Sequence, residues 1–177
     1  MARQVKVITA AEAAALIKNG DTVTTSGFVA SAIPEALDRA VEERFLATGE
    51  PRDITYVYCG SQGNKDGRGA EHFAHEGLLK RYIAGHWATV PALQKMALEN
   101  KMEAYNVSQG ALCHLFRDIA AHRPGCFTKV GLGTFIDPRN GGGKVNDVTK
   151  EDIIELVNIK GQDYLFYPAF PIHVAMI

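Results

Sequence analysis

A glutamine–glycine pair at the start of a helix is the sequence feature best suited to hold a small anion. Gln109 and Gly110 join a polar strand end at Asn106 to an amphipathic helix. Backbone N–H groups at a helix N-terminus have no partner within the helix and lie at the positive end of its dipole, so they favour an anion. The Gln109 carboxamide can hold a carboxylate without cancelling its charge. We therefore expect a small ligand here, although Asn106 is equally explained as a turn residue that bonds its own backbone.

Two more glycine-containing loops follow predicted strands, at residues 26–29 and 60–64. In an open parallel sheet, such loops converge on a crevice at the carboxyl ends of the strands, where ligands bind. The alternative is that each glycine only makes a tight turn, and for a single loop the two interpretations are balanced. Three such loops together favour a binding site.

Other chemistries have weaker support. The segment Glu71–Glu76 lacks the ligand spacing of a zinc enzyme, so we expect a polar helix face and no metal site. Cys113 and His114 are neighbours on a helix, about 100° apart, and cannot pair as nucleophile and base, so Cys113 is expected in the core. The pair His86-Trp87 could line a pocket, but a buried structural pair is favoured. The glycine runs complete neither a dinucleotide fingerprint nor a phosphate loop.

The composition indicates one globular domain. The chain has 177 residues, 46% of them hydrophobic and 22% charged, with a formal net charge of −1. We expect neither nucleic acid nor a membrane as partner, because there is no basic excess and no apolar stretch long enough to span a bilayer. Residues Met1–Lys6 lack the apolar core of a signal peptide, and three cysteines at unrelated spacings suit reduced thiols. Both features point to the cytoplasm.

Alternating strand and helix signals predict an α/β fold, an open and largely parallel sheet flanked by helices, with a β-hairpin near the carboxyl end. We treat residues 1–177 as a single domain, because no repeat or linker interrupts them. Four helices are predicted. The first begins at the Thr9–Glu12 capping box and ends near Asn19-Gly20, and the second begins at Pro34. The third spans Pro91–Asn100, and the fourth runs from Gly110 to Pro124. The predicted strands are 21–25, 54–58, 81–84, a strand beginning at Lys129, the hairpin pair 156–159 and 164–167, and 173–177.

Five segments in this order resemble one enzyme family. They are Ser26-Gly27-Phe28-Val29 with Ile33-Pro34-Glu35; Tyr58-Cys59-Gly60-Ser61-Gln62-Gly63-Asn64 with Asp66-Gly67-Arg68; Gly85-His86-Trp87; Tyr105-Asn106-Val107-Ser108-Gln109-Gly110; and Gly133-Thr134-Phe135-Ile136-Asp137-Pro138-Arg139 with Gly142-Gly143-Lys144. Together they resemble the amino-terminal part of the family I CoA-transferases, most closely those that act on propionate or lactate. The resemblance spans the whole chain.

The resemblance implies transfer of coenzyme A, as a substrate and without a further cofactor, between a short-chain acyl-CoA and a free carboxylic acid. In this family a glutamate attacks the thioester, and an acyl-glutamyl anhydride and a glutamyl-CoA thioester form in a ping-pong sequence. That glutamate belongs to the carboxyl-terminal half of the family, beside a glycine-rich stretch. The nearest pairing here, Glu76-Gly77, has different surroundings, so we assign no nucleophile in this chain.

The resemblance also implies roles for individual residues. Gln109 matches the glutamine that orients the catalytic carboxylate across the domain boundary. Gly27 and Phe28 match the loop that borders the acyl pocket, and Val29 shapes the space for the acyl chain. The next wall would be formed by three consecutive residues, Gly60, Ser61 and Gln62.

The length of the chain departs from the family, because single-chain members continue past the last predicted strand. We expect a truncated protein first, and a separate subunit or a partial gene as alternatives. The partner is then the carboxyl-terminal domain or subunit, the isolated chain is inactive and prone to associate, and the complete protein is a homo-oligomer. Two other functions stay open: an acyl-CoA hydrolase of the same superfamily, and a non-catalytic acyl- or anion-binding module. Acetate, propionate, lactate and similar short acids all remain possible acceptors.

Overall fold

The computed structural model describes residues 5–177. The prediction that Met1–Lys6 contains no leader therefore falls mostly outside the described residues. Within these residues the α-helices are α1 (Ala10–Ala14), α2 (Glu35–Thr48), α3 (Pro91–Leu98) and α4 (Gln109–Ala120), and 3₁₀ helices span Gly69–Phe73 and Pro138–Asn140. The strands in the same described range are β1 (Thr22–Thr25), β2 (Ile54–Tyr58), β3 (Leu79–Ala84), β4 (Glu103–Asn106), β5 (Gly125–Thr128), β6 (Glu155–Ile159), β7 (Gln162–Pro168) and β8 (Val174–Met176).

Five strands form a parallel sheet in the order β4-β3-β2-β1-β8, which confirms the predicted α/β class. Side chains of a strand alternate between the two faces of its sheet, so β2 sends Tyr56 to one face and Val57 to the other. The Tyr56 face packs against α1, α2 and α3, and the Val57 face packs against α4 and β7. Both faces are therefore covered, as a parallel sheet requires.

A second, antiparallel sheet has the order β5-β7-β6, and its β6–β7 pair confirms the predicted hairpin. The prediction of a strand that begins at Lys129 is wrong. The residues after Lys129 form turns, and the strand, β5, ends just before Lys129. Gly125 explains the difference. A Cβ there would come within 2.2 Å of the Tyr167 carbonyl oxygen, so Gly125 is required for close strand pairing in β5, and α4 ends earlier than the predicted stop at Pro124, at Ala120.

The predicted capping box of α1 is confirmed. The Glu12 N–H donates to Thr9 Oγ1 at 3.2 Å, and the Thr9 N–H donates to Glu12 Oε2 at 2.8 Å. The helix ends at Ala14, earlier than the predicted end near Asn19-Gly20. None of the helices within residues 5–177 is long and apolar enough to cross a membrane.

Candidate functional site

The carboxyl ends of three neighbouring strands lie in one row. Tyr58 of β2 pairs with Ala84 of β3, and Ala84 pairs with Asn106 of β4. The loops that follow these residues therefore start at the same edge of the sheet. A bridge between Val29 and Gln62 brings the loop after β1 to the same edge. The three loops singled out in the sequence are brought together in the fold.

Gln109 and Phe28 meet at Gly60. A Cβ placed on Gly60 would lie 3.5 Å from Cδ and Nε2 of Gln109 and 3.5 Å from Cε2 of Phe28. Both side chains remain accessible, since Gln109 is exposed and 58% of the Phe28 surface is accessible. A carboxamide, an aromatic ring and an open glycine backbone therefore form one surface at the carboxyl edge of the sheet.

This surface lies at the N-terminus of α4. Ser108 caps the helix, because its Oγ accepts from the Ala111 N–H at 3.4 Å. Gln109 and Gly110 are the first two helical residues, so their N–H groups have no partner within the helix. A Cβ on Gly110 would have no atom within 4 Å, so the space beside it is open. The arrangement suits a carboxylate or another small anion.

The loop after β1 is held in a strained turn. Gly27 has φ of +105°, and a Cβ there would lie 2.7 Å from the Ala32 carbonyl oxygen. Val29 has φ of 54°, which is unfavourable for a β-branched residue. The Val29 N–H donates to the Ser61 carbonyl oxygen at 3.1 Å, and the Gly63 N–H donates to the Val29 carbonyl oxygen at 2.8 Å. These two bonds fix the Phe28 loop against the Gly60 loop.

Ser61 and Gln62 point their side chains into the interior and contribute only backbone to this edge. Gln62 is fully buried, and its Oε1 accepts from the Tyr56 hydroxyl at 2.7 Å and from the Thr25 hydroxyl. Ser61 is 1% exposed and shares a hydroxyl–hydroxyl hydrogen bond with Thr89. The hydrogen bonds of these two buried side chains therefore hold the Gly60 loop against the interior of the protein.

Asn106 lies in a cavity of about 270 Å³ whose lining also includes Trp87, Leu98 and Val145. Its N–H donates to the Gly143 carbonyl oxygen at 2.8 Å. Gln109 and Phe28 do not line this cavity, and they also do not line a cavity of about 350 Å³ whose walls include the strand starts at the opposite edge of the sheet. The candidate site around Gln109 and Phe28 is therefore an open edge of the sheet, separate from both of these cavities.

The cysteines near the site are free thiols, and Cys113 is exposed, so its predicted core position is wrong. Cys113 lies one helical turn after Gln109, where it faces solvent at the loop edge. Burial, together with the neighbouring Cys113 thiol, raises the pKa of Cys59 to about 12. A thiol whose pKa is raised in this way is mostly protonated at neutral pH, which disfavours the thiolate form that a nucleophile requires.

In the segment Glu71–Glu76, residues 71–73 are buried and only Glu76 is exposed, so its prediction as a polar helix face is wrong for most of its length. His72 is 8% exposed, and its ring nitrogens contact Glu35 at 3.0 Å and Glu42 at 2.5 Å. Within residues 5–177, no group of three or more His, Cys, Asp or Glu side chains is arranged to hold a metal ion. The expectation of a buried His86-Trp87 pair is also wrong in part, because His86 is exposed while Trp87 is half-buried.

Asp38 of α2 is fully buried. Neither of its carboxylate oxygens has a hydrogen-bond partner among the residues that the structure describes. Burial raises the pKa of Asp38 to about 7, against the lowering effect of nearby His72. The spacing of the acidic residues in α2 could have indicated that Asp38 is not an isolated surface residue, since Glu35, Asp38 and Glu42 lie on one helical face.

Comparisons with known proteins identify the family of this chain. The family model described as coenzyme A transferase matches residues 7–177. Caffeate CoA-transferase of Acetobacterium woodii is 41% identical over 97% of this chain and 33% of that protein. Acetate CoA-transferase YdiF of Escherichia coli strain K12 is 39% identical over 98% of this chain and 33% of that protein.

A solved structure shares the fold. The acyl-CoA transferase YdiF of E. coli O157:H7, in a thioester complex with CoA, has a TM-score of 0.87 and 37% identity, over 95% of this chain and 33% of that chain. The chain thus spans about a third of the length of the curated relatives that it matches. The match over nearly all of this chain shows that it belongs to the coenzyme A transferase family.

Proposed function

We propose that this chain forms the glutamine-bearing side of an active site that transfers coenzyme A between a short-chain acyl-CoA and a free carboxylate. The observation that carries the proposal is the meeting of Gln109 and Phe28 on Gly60, at the open N-terminus of α4. The names of the relatives, a caffeate and an acetate CoA-transferase, support transfer to carboxylic acids. The thioester complex of YdiF with CoA supports a covalent intermediate.

Gln109 acts as a donor to a glutamate carboxylate supplied from outside this chain. Its Nε2 amide is neutral, so it fixes the carboxylate without quenching its nucleophilicity. A lysine or arginine at this position would stabilise the carboxylate charge and oppose its attack on the thioester. Because the side chain is exposed at the edge of the sheet, another domain can reach it.

The reaction balances with the glutamate as the only covalent group. A glutamate oxygen attacks the thioester carbonyl carbon, the carbon–sulfur bond breaks, and CoA leaves as a thiolate with the bonding electrons. The thiolate then attacks the glutamyl carbonyl of the anhydride, which releases the first acid as a carboxylate and leaves a glutamyl-CoA thioester. The acceptor carboxylate then attacks the glutamyl-CoA thioester and releases the CoA thiolate. The thiolate attacks the acceptor's acyl carbon in the new anhydride, which gives the product acyl-CoA and frees the glutamate. The N–H groups of Gln109 and Gly110, which have no partner within the helix, support a role in stabilising the oxygen on which negative charge develops.

The substrate class and assembly belong to the same proposal. Phe28 and Val29 border the space for a short acyl group, so acetate, propionate and lactate are the proposed acids, and coenzyme A enters only as a substrate. We propose that the chain is completed by a second domain or subunit, that the completed enzyme is a homo-oligomer, and that it works in the cytoplasm. The chain alone is expected to be inactive, because it covers a third of its relatives' length.

The test is trapping of the glutamyl thioester. Here the completed enzyme means the longer polypeptide, or the pair of polypeptides, that extends this chain to the length of its relatives. Incubation with propionyl-CoA and reduction with borohydride should change the mass of a peptide outside residues 1–177, as read by mass spectrometry. A completed enzyme that binds acyl-CoA but stays unmodified contradicts the proposal and favours a binding module. CoA release without an acceptor acid favours a hydrolase.

A further inference from the structure

Gly85 lies between the two elements that build the proposed site. A Cβ on Gly85 would come within 2.4 Å of the Cys59 carbonyl oxygen, and within 2.8 Å of both Cα and Cβ of Gln109. Cβ atoms essentially never approach other heavy atoms within 3.0 Å. Any side chain at this position would therefore have to displace the loop after β2, the start of α4, or both.

The backbone conformation does not explain why this residue is glycine. Gly85 is absent from the residues with positive φ, so an alanine could adopt the same backbone angles. What excludes a side chain is the close approach of the main chain on one side and of Gln109 on the other. Main-chain atoms cannot rotate away as the end of a flexible side chain can.

The start of α4 is the element expected to move. The residue before Gly85, Ala84, is held in register by Tyr58 and Asn106 on either side, and the Val107 N–H donates to the Ala84 carbonyl oxygen at 3.0 Å. Gln109 is exposed and stands at a helix end, so it has fewer restraints. A methyl group on Gly85 would thus shift the Cα from which the carboxamide projects.

We propose that Gly85 is a positioning residue, whose missing side chain allows the Gln109 main chain to rest on the end of β3 and so aims the carboxamide at the catalytic carboxylate. This inference rests on the proposed function of Gln109. Gly85 itself touches neither substrate nor nucleophile and acts only through Gln109.

The test is a double-mutant cycle in the completed enzyme. Gly85→Ala should lower kcat by roughly tenfold to a hundredfold, because a misplacement of about 1 Å can cost 10²-fold. KM for the acyl-CoA should change less than threefold. Adding Gly85→Ala to Gln109→Ala should produce no further loss, since the group being positioned is already gone. Ala120→Ser, which adds one atom at the exposed far end of α4, should leave kcat unchanged.

The outcomes separate this inference from the proposed function. Equal kcat in Gly85→Ala and the unsubstituted enzyme, or multiplying losses in the double variant, overturns the positioning role. An unchanged kcat in Gln109→Ala overturns the proposed role of Gln109, and the inference with it. If Gly85→Ala does not fold, the close packing is tested in the unsubstituted chain instead. In the unsubstituted chain, nuclear Overhauser contacts between the α protons of Gly85 and Gln109 are expected, and their absence contradicts the packing.

Discussion

The carboxamide of Gln109 rests directly against Gly60, with Cδ and Nε2 each 3.5 Å from the point where a Gly60 Cβ would lie. The ring of Phe28 reaches the same point at 3.5 Å. These residues come from three loops that are far apart in the sequence, and the parallel sheet brings them to one edge. Gly60 therefore lies beside both the Gln109 carboxamide and the Phe28 ring of the proposed site.

Gly60→Ala should fold but bind substrate less well. A separation of 3.5 Å is an ordinary van der Waals contact, so the added methyl group fits while it fills the space between Phe28 and Gln109. We expect KM to rise several-fold, and more for propionyl-CoA than for acetyl-CoA, since one methylene is worth about 1–3 kcal/mol in a fitted pocket. KM values of the completed enzyme for both thioesters check this. If the substitution left the KM for each thioester unchanged, Gly60 would not line the acyl space.

Gln62→Leu should destabilise the chain by about 1–3 kcal/mol, because the buried hydroxyls of Tyr56 and Thr25 lose their shared acceptor. Urea denaturation of the chain measures the free energy of unfolding. Gln162→Leu is the matched control, because Gln162 is exposed and its change should cost no more than about 0.5 kcal/mol. Equal stabilities of the Gln62 and Gln162 variants would refute the supporting role of Gln62.

Asp38→Asn should raise stability at alkaline pH. The folded-state pKa of Asp38 is raised from 3.8 to about 7, so the folded chain binds more protons than the unfolded chain between these values. Linkage then lowers the free energy of unfolding as pH rises from about 4 to about 7. Asparagine cannot ionise, so the variant should be more stable than the unsubstituted chain at pH 8, by on the order of 1–4 kcal/mol.

The same denaturation experiment at pH 5 supplies the comparison. There Asp38 is largely protonated in the folded chain, so the advantage of asparagine should vanish. Hydrogen bonds to Glu35 and Glu42 raise the pKa of His72 although burial lowers it, so its stabilisation is also lost as pH rises. Burial raises the pKa of Asp38 while His72 lowers it, so Asp38→Asn removes the interaction with His72 too, and the difference between the two proteins reports the Asp38 charge together with its effect on His72. Asp147→Asn, at an exposed position, should show no difference between the two pH values, and a pH-independent effect of Asp38→Asn would rule out ionisation as the cause.

Most of the fold could be predicted from the sequence, because hydrophobic period and turn residues are local signals. β2 has the bounds predicted for it, and the motif order correctly indicated the CoA-transferase family. β5 was misplaced because the close strand contact that requires Gly125 depends on Tyr167, which is distant in the sequence. Asp38 is buried although its polarity suggests exposure, because α2 packs against the 3₁₀ helix Gly69–Phe73, which comes from a distant part of the chain.

The candidate site was predicted in part, for a similar reason. Gln109, Phe28 and Gly60 were all named from the sequence, and the structure places them in contact range. The direction of a loop side chain depends on tertiary packing, so the inward turn of Gln62 could not be predicted from its neighbours. Gly85 was passed over because nothing in its local sequence shows that two other loops close around it.

The most direct test of the central claim is the kcat of Gln109→Ala in the completed enzyme. Loss of one hydrogen bond to a charged group costs about 1.5–3 kcal/mol, which corresponds to roughly a tenfold to hundredfold lower kcat if the bond acts in the transition state. Gln162→Ala, at an exposed glutamine in β7, is the control and should keep full activity. A tenfold to hundredfold loss confined to Gln109→Ala is the predicted result. Turnover equal to that of the unsubstituted enzyme would contradict the role of Gln109 in orienting the catalytic carboxylate.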